Sequence, residues 1–182
     1  MSKSAQSEDT TYILSHRSKQ TVEHERLNRQ HNLIQQTFLN NQLIHPTIPL
    51  SSLQGGIADV ACGTGIWLEE MAHALSHRDT QANSKNKEQV ESSSANLMPQ
   101  FVGFDMNAAA FPKNPAAGIR LVQHDCTEPF DARYLGQFDL VNIRGLAYAV
   151  TEEKLARVLE NVSFLLSKIS PSFPDIHFLP KC

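Results

Sequence analysis

No stretch of this chain reaches the roughly 20 consecutive apolar residues that cross a bilayer as a helix, so no transmembrane helix is expected. The opening Met1-Ser-Lys-Ser-Ala-Gln-Ser-Glu-Asp is polar and lacks the apolar centre of a secretory signal. Cysteine is scarce: Cys62, Cys126 and Cys182 form no closely spaced set. An odd count without a secretion signal argues against a disulfide framework and for free thiols in a reducing compartment, so the cytoplasm, or cytoplasm and nucleus, is the expected location. An excess of positive charge is also missing. With 16 Lys and Arg against 19 Asp and Glu, the net charge of −3 leaves no electrostatic footprint for a nucleic acid. Neither a G-x-S-x-G elbow nor a phosphate-binding Walker A loop occurs. His73 and His77 have a spacing that can hold zinc, but no third ligand is evident, so a polar helix face is the reading and no metal is expected.

What is present suits one globular domain: 182 residues, 41% hydrophobic and 19% charged. The chain is organised around Ile57-Ala-Asp-Val-Ala-Cys-Gly-Thr-Gly-Ile-Trp67. This reads as a buried strand, a tight turn through Gly63 and Gly65, and a helix whose apolar face carries Leu68, Met71, Ala72 and Leu75. Such a unit gathers backbone N–H groups and a positive helix end at one spot, suited to a nucleotide or another polar ligand. The dinucleotide pattern G-x-G-x-x-G fails here, because its first and last glycines would be Ala61 and Ile66.

Three further strands follow. Phe101-Val-Gly-Phe-Asp105 ends in an acid, the arrangement that accepts the hydroxyl protons of a ribose. Its distance from Gly65, 40 residues, exceeds the usual offset of about 20, and the polar, Ser/Asn-rich segment 78–99 is read as a mobile insertion that accounts for the excess. Ile119-Arg-Leu-Val-Gln-His-Asp125 is another acid-ended strand, and Gln137-Phe-Asp-Leu-Val-Asn-Ile-Arg144 a fourth. Asp59, Asp105 and Asp125 would thus reach one sheet edge, where open α/β sheets bind ligands. Ahead of this domain, residues 20–43 predict a helix with Leu27, Ile34 and Phe38 on one face. After it, Thr151-Glu-Glu predicts a capped helix carrying Leu155, Val158, Leu159, Val162, Leu165 and Leu166.

With one change, Ala61 for a glycine, the run from Asp59 to Gly65 resembles motif I of class I S-adenosylmethionine (SAM)-dependent methyltransferases. Glu23-His-Glu-Arg-Leu-Asn-Arg-Gln-His31 is similar to the E-x-x-R-L-x-x-Q-H helix of fungal secondary-metabolism methyltransferases, the LaeA-like group, and Tyr12-Ile-Leu and Phe138-Asp-Leu-Val-x-x-Arg144 fit the same pattern. The resemblance implies a Rossmann-like α/β sandwich with an amino-terminal helical cap over the cofactor cleft. It implies SAM as cofactor and a small-molecule acceptor. It implies cofactor contacts at Asp59, Ala61, Cys62, Gly63 and Gly65, ribose binding at Asp105 with Met106 beside it, and adenine binding at Asp125 and Cys126. Tyr12, Arg26 and His31 become cleft candidates, with His31 the candidate general base if the acceptor is a hydroxyl; the helix bearing them reads equally well as a solvated surface. Asn142 and Arg144 face either cofactor or substrate, or serve as buried hydrogen-bonding groups at a strand end.

The expected organisation is a disordered tail at 1–11, a cap at 12–50, a SAM-binding domain at 51–168 and an irregular tail at 169–182. The resemblance stops near residue 168, where a P-G-G turn and further strands would follow, so a carboxy-terminally truncated domain is expected. Ile176-His-Phe-Leu could form one short strand. The fourth strand would otherwise be left as an edge that invites a homo- or hetero-oligomeric partner. The alternative to catalysis is a truncated, non-catalytic protein that binds SAM or a partner chain.

Overall fold

A computed structural model describes residues 20–53, 55–83, 100–146, 149–167 and 176–177. Helix α1 (Gln20–Phe38) precedes strand β1 (Gly56–Val60) and helix α2 (Ile66–Asn83). Strands β2 (Phe101–Asp105), β3 (Ile119–Gln123) and β4 (Phe138–Ile143) follow, then helix α3 (Glu152–Ser163) and the two-residue strand β5 (Ile176–His177). All pairings are parallel, in the order β3-β2-β1-β4-β5. The chain winds outward from β1 through β2 to β3, then returns to β4 on the other side of β1. That reversal is the switch point at which α/β sheets of the Rossmann type open a crevice for ligands.

Strand β1 is central, and all five of its residues are buried. Its β-branched and small residues suit a strand covered on both faces. On one face Trp67, Leu68, Met71 and Leu75 of α2 pack with Ile57, Phe101, Ile119 and Leu140. On the other, Val158 and Val162 of α3 pack with Ala58, Val60, Val102, Phe104 and Phe138. Each fully buried side chain of this size contributes roughly 1.5–3 kcal/mol. Gly103 permits the close approach of α2, since a Cβ there would stand 2.7 Å from Leu121, 2.8 Å from the Cys62 sulfur and 3.0 Å from Leu68.

The pairing of β1 with β4 shifts register between Gly56 and Ile57, leaving Asp139 as an extra residue on β4. The shift brings Phe138 and Val141 to the same core cluster. The Asp139 carboxylate accepts hydrogen bonds from the Gly55 N–H and the Ser167 hydroxyl, which ties the rim of the sheet opposite the ligand crevice.

Four boundaries differ from the sequence reading. Helix α1 stops at Phe38, which is 52% exposed rather than on the packed face. Asn40 and Asn41 follow it with positive φ, a conformation asparagine tolerates and one that ends a helix. Helix α2 runs on to Asn83, so the segment 78–99 does not begin as a loop; residues 78–83 carry no glycine or proline, and propagation adds a hydrogen bond per residue. The rest of that segment, 84–99, lies outside the described residues. Strand β3 closes at Gln123, so Asp125 sits in the turn beyond it. Finally, β4 is not a bare edge: Leu166 bridges to Phe138, and β5 pairs with Val141 and Asn142. The short strand read at Ile176-His-Phe-Leu thus forms over Ile176–His177, within the segment otherwise expected to be an irregular tail. Thr151 caps α3 as expected, its side chain accepting from the Lys154 N–H.

Candidate functional site

The turn after β1 is built from three left-handed residues: Ala61 (φ 59°), Gly63 (φ 56°) and Gly65 (φ 79°). Alternating left-handed positions let the chain leave the strand and enter α2 within five residues. Glycine meets that demand without strain, whereas Ala61 carries a Cβ in a region L-residues disfavour. Asp105 secures the turn. One carboxylate oxygen accepts the Gly63 N–H at 2.8 Å, the other the Asn107 N–H at 2.8 Å. A carboxylate has about four acceptor positions, so Asp105 retains capacity for ligand hydroxyls. Burial pushes its pKa up, against the pull of these two backbone bonds.

Asp59 lies below the turn, 4% exposed, and accepts a 2.6 Å hydrogen bond from the Asn142 amide. Desolvation raises its pKa to about 7 despite the opposing charge of Arg144. Asn142 is itself buried and is not among the residues lining the main cavity, so it acts through Asp59, the strand-end role that the sequence left open.

Helix α1 covers the turn. Leu27 approaches Gly63 so closely that a Cβ there would stand 3.2 Å from its methyl group. The Thr64 hydroxyl donates to Asn28 at 2.6 Å. His31 is 5% exposed, with Nε2 placed 3.1 Å from Glu70 of α2 and Nδ1 2.7 Å from an Arg144 nitrogen. Gln35 donates to the same Glu70 oxygen at 2.9 Å. Because a guanidinium only donates, Nδ1 of His31 accepts, which assigns the proton to Nε2. Burial and the Arg144 charge lower the His31 pKa, consistent with a neutral ring. Arg26 pairs with Glu23 at 2.6 Å on the same helix.

These elements enclose a cavity of about 490 Å³, lined by Glu23, Arg26, Leu27 and His31 from α1, by Asp59, Ala61, Cys62 and Gly63, by Asp105, and by Arg144 and Leu146. A smaller pocket of about 30 Å³ is lined by Met106, His124, Asp125, Cys126 and Thr127, and shares Ala61, Asp105 and Leu146 with the main cavity. Asp125 accepts from both the N–H and the hydroxyl of Thr127. Burial pushes the Cys126 thiol up to about 12 and the Cys62 thiol upward as well, so neither is a reactive thiolate.

The geometry thus gathers most of the residues singled out from sequence: Asp59, Ala61, Cys62, Gly63, Asp105, His31, Arg26 and Arg144 around one cavity, with Met106, Asp125 and Cys126 in the adjoining pocket. Gly65 shapes the turn without lining either space. Tyr12 lies outside the described residues. As the candidate base, His31 meets an obstacle: both ring nitrogens are already engaged. Sequence reasoning missed Glu70, Thr64 and Trp67. The Trp67 ring lies 5.8 Å from the Arg144 guanidinium and its N–H donates to the Leu43 carbonyl at 2.9 Å. Glu70 and His31 are 39 residues apart on separate helices, and no local pattern announces such a pair. Nε2 of His73 and of His77 lie 2.8 Å apart, but no group of three or more metal-ligating side chains occurs among the described residues. No helix among them is long and apolar enough to cross a membrane.

A parallel 3-2-1-4-5 sheet with a glycine turn and acids at its carboxyl edge defines a Rossmann-like α/β fold with a nucleotide-type crevice. Two curated fungal proteins are similar to this chain. It is 29% identical over 144 residues to the methyltransferase grgD of a Penicillium species, covering 79% of this chain and 45% of that protein. It is 29% identical over 128 residues to the methyltransferase psoC of Aspergillus fumigatus, covering 70% of this chain and 40% of that protein. The chain therefore spans less than half the length of these relatives. The sugar N-methyltransferase KedS8 from Streptoalloteichus aligns over 88% of this chain and 53% of its own, at 20% identity and a TM-score of 0.41. No protein-family model matches the chain.

Proposed function

We propose that this chain is the cofactor-binding part of a SAM-dependent methyltransferase acting on a small molecule of fungal secondary metabolism. The observation that supports it best is the run of Asp59, Asp105 and Asp125 along two adjoining pockets around a turn with Gly63 at its centre. The donor and acceptor set suits the cofactor: Asp105 keeps acceptor capacity for ribose hydroxyls, the pocket of Met106, Asp125 and Cys126 suits a purine, and Asp59 and Arg144 offer opposite charges to an amino-acid end. When bound, SAM supplies an activated methyl group on a sulfonium. The protein's part is to align and to keep the cleft dry. Helix α1 excludes water from above, Asp105 fixes the turn, and Asn142 and Arg144 hold the Asp59 charge in place. The names of the two fungal relatives support methyl transfer; the small-molecule acceptor rests on the resemblance of the Glu23–His31 helix to that of fungal secondary-metabolism methyltransferases.

Calorimetric titration with SAM tests this reading. Micromolar binding that disappears in Asp105→Ala, whose fold is checked by circular dichroism, is the expected result. A folded wild-type chain that binds no SAM would overturn it. Binding without transfer is a second reading, favoured by the engagement of both His31 nitrogens. It predicts SAM affinity with no methyl transfer to hydroxyl acceptors that require a base.

A further inference from the structure

Arg144 is a half-buried cation whose bonding is incomplete. It follows β4 at the cavity wall, and its Nη2 donates to His31. Its Nη1 is buried and has no hydrogen-bond partner among the described residues. A buried, unsatisfied donor on a charged group is costly, and such groups are normally paired. The arrangement around it is also directional. Glu70 accepts the His31 Nε2–H, which leaves Nδ1 as an acceptor facing Arg144, and Gln35 donates to the same Glu70 oxygen. The chain Gln35–Glu70–His31–Arg144 runs from α1 to α2, back to α1, and on to the end of β4. Trp67 lies across the guanidinium.

We infer that Glu70 and His31 are positioning residues that hold Arg144 so that Nη1 receives a carboxylate of the bound ligand. The inference deepens the proposed function, since the cofactor's methionine end carries such a carboxylate; an acceptor acid is the other source of the same chemistry. Arginine suits the task because its rigid fork can give one edge to His31 and the other to a carboxylate oxygen. The proton on His31 decides the outcome. A neutral ring accepts from Arg144, whereas a doubly protonated ring would set N–H against N–H and cation against cation. Acidification therefore weakens binding of a carboxylate ligand. The charged groups around His31 are Glu70 on α2, Arg144 after β4, Asp59 on β1, Asp105 at the end of β2, and Glu23, Arg26 and Arg29 on its own helix. Burial raises the Asp59 pKa to about 7, so the variants must separate its effect from that of His31.

The test compares S-adenosylhomocysteine, which carries the carboxylate, with 5′-methylthioadenosine, which lacks it, on the whole chain by calorimetry across pH. Arg144→Met should weaken S-adenosylhomocysteine by about thirtyfold or more, as for truncation of one partner of a buried charge pair, and leave methylthioadenosine unchanged. Arg144→Lys, which keeps the charge, should recover part of the loss. Binding of S-adenosylhomocysteine by the wild type should fall on the acid side. Asp59→Asn removes the Asp59 contribution to that fall, and the part that remains in this background should disappear on adding His31→Gln and move to lower pH on adding Glu70→Gln, where an acceptor remains but the charge that favours protonated His31 is gone. Methylthioadenosine binding reports an intact fold in every variant. Equal losses for both nucleosides in Arg144→Met, or an acid limb in the Asp59→Asn background unaltered on adding His31→Gln and Glu70→Gln, overturn the inference alone. Normal cofactor affinity in Arg144→Met, with the loss appearing only for an acidic acceptor, assigns the carboxylate to the acceptor and upholds it. A folded wild type that binds neither nucleoside overturns the cofactor reading and this inference with it.

Discussion

Replacing Asp59 by Asn should make the variant gain stability over the wild type as pH rises from about 4 to neutral and above. In the fold the Asp59 carboxyl keeps its proton up to about pH 7, because burial outweighs the help of Arg144 and Asn142. In the unfolded chain an aspartate loses its proton near pH 4. Between those values the native state binds more protons than the unfolded state, so stability falls as pH rises through the window. Below it both states are neutral at this position and no cost is felt; above it both are charged and the full cost is present. At about 1.4 kcal/mol per pH unit, a gap of about three units amounts to about 4 kcal/mol. The amide introduced by Asp59→Asn would keep an oxygen to accept from Asn142 and would carry no charge to desolvate. Any cost of its extra amide protons is the same at every pH, so it offsets the whole curve without tilting it. Other buried titrations, such as that of His31, cancel in the comparison. The assay is urea unfolding of wild type and Asp59→Asn at steps from about pH 4 to pH 8, read as midpoint and slope. The stability difference should grow by several kcal/mol across that range, in favour of the variant. A difference that stays constant would refute the account of Asp59 as a carboxylate held against desolvation. The same variant should bind SAM more weakly, a trade of stability for a charge kept at the site.

Gly103→Ala should destabilise by about 1–3 kcal/mol in urea titration, because its methyl meets Leu121, Cys62 and Leu68 at overpacked distances. Ala61→Gly should be neutral or stabilising by up to about 1 kcal/mol: relief of a left-handed alanine, worth about 1–2 kcal/mol, is offset by the entropy that glycine adds to the unfolded chain. A clear loss of melting temperature in that variant would contradict the strain argument. Thr151→Ala should cost about 0.5 kcal/mol, the low end for a helix cap, since its bond to the Lys154 N–H is 3.4 Å long.

Much of this architecture can be read from short-range pattern. Strands β1 to β4 are compact apolar runs bounded by turn residues, and the glycine turn announces both its own shape and the start of α2. Thr151 marks α3 because a cap acts within one turn. The acids at 59, 105 and 125 were legible as a set because parallel strands carry their carboxyl ends to one edge. What escaped depends on contacts between distant segments. The polar residues of Glu23–His31 fit a solvated helix as well as a cover, and only the fold shows His31 buried between Glu70 and Arg144. The continuation of α2 was hidden because Ser/Asn-rich composition masks a helix end that no breaker enforces. The extra residue at Asp139 depends on the pairing with β1, which no local sequence encodes.

The way α1 is fastened bears on how the cleft opens. Its main ties are polar, Asn28 to Thr64 and His31 to Glu70 and Arg144, while Val22, Leu33 and Phe38 remain exposed. Heat capacity rises when apolar surface is wetted and falls when polar surface is. Lifting α1 would wet both Leu27 and these polar groups, so the two contributions oppose each other. The opening equilibrium should then vary gently with temperature, in contrast to the strongly curved stability of the sheet beneath it. A ligand could thus enter and leave over a broad thermal range at a nearly constant cost, with the core untouched.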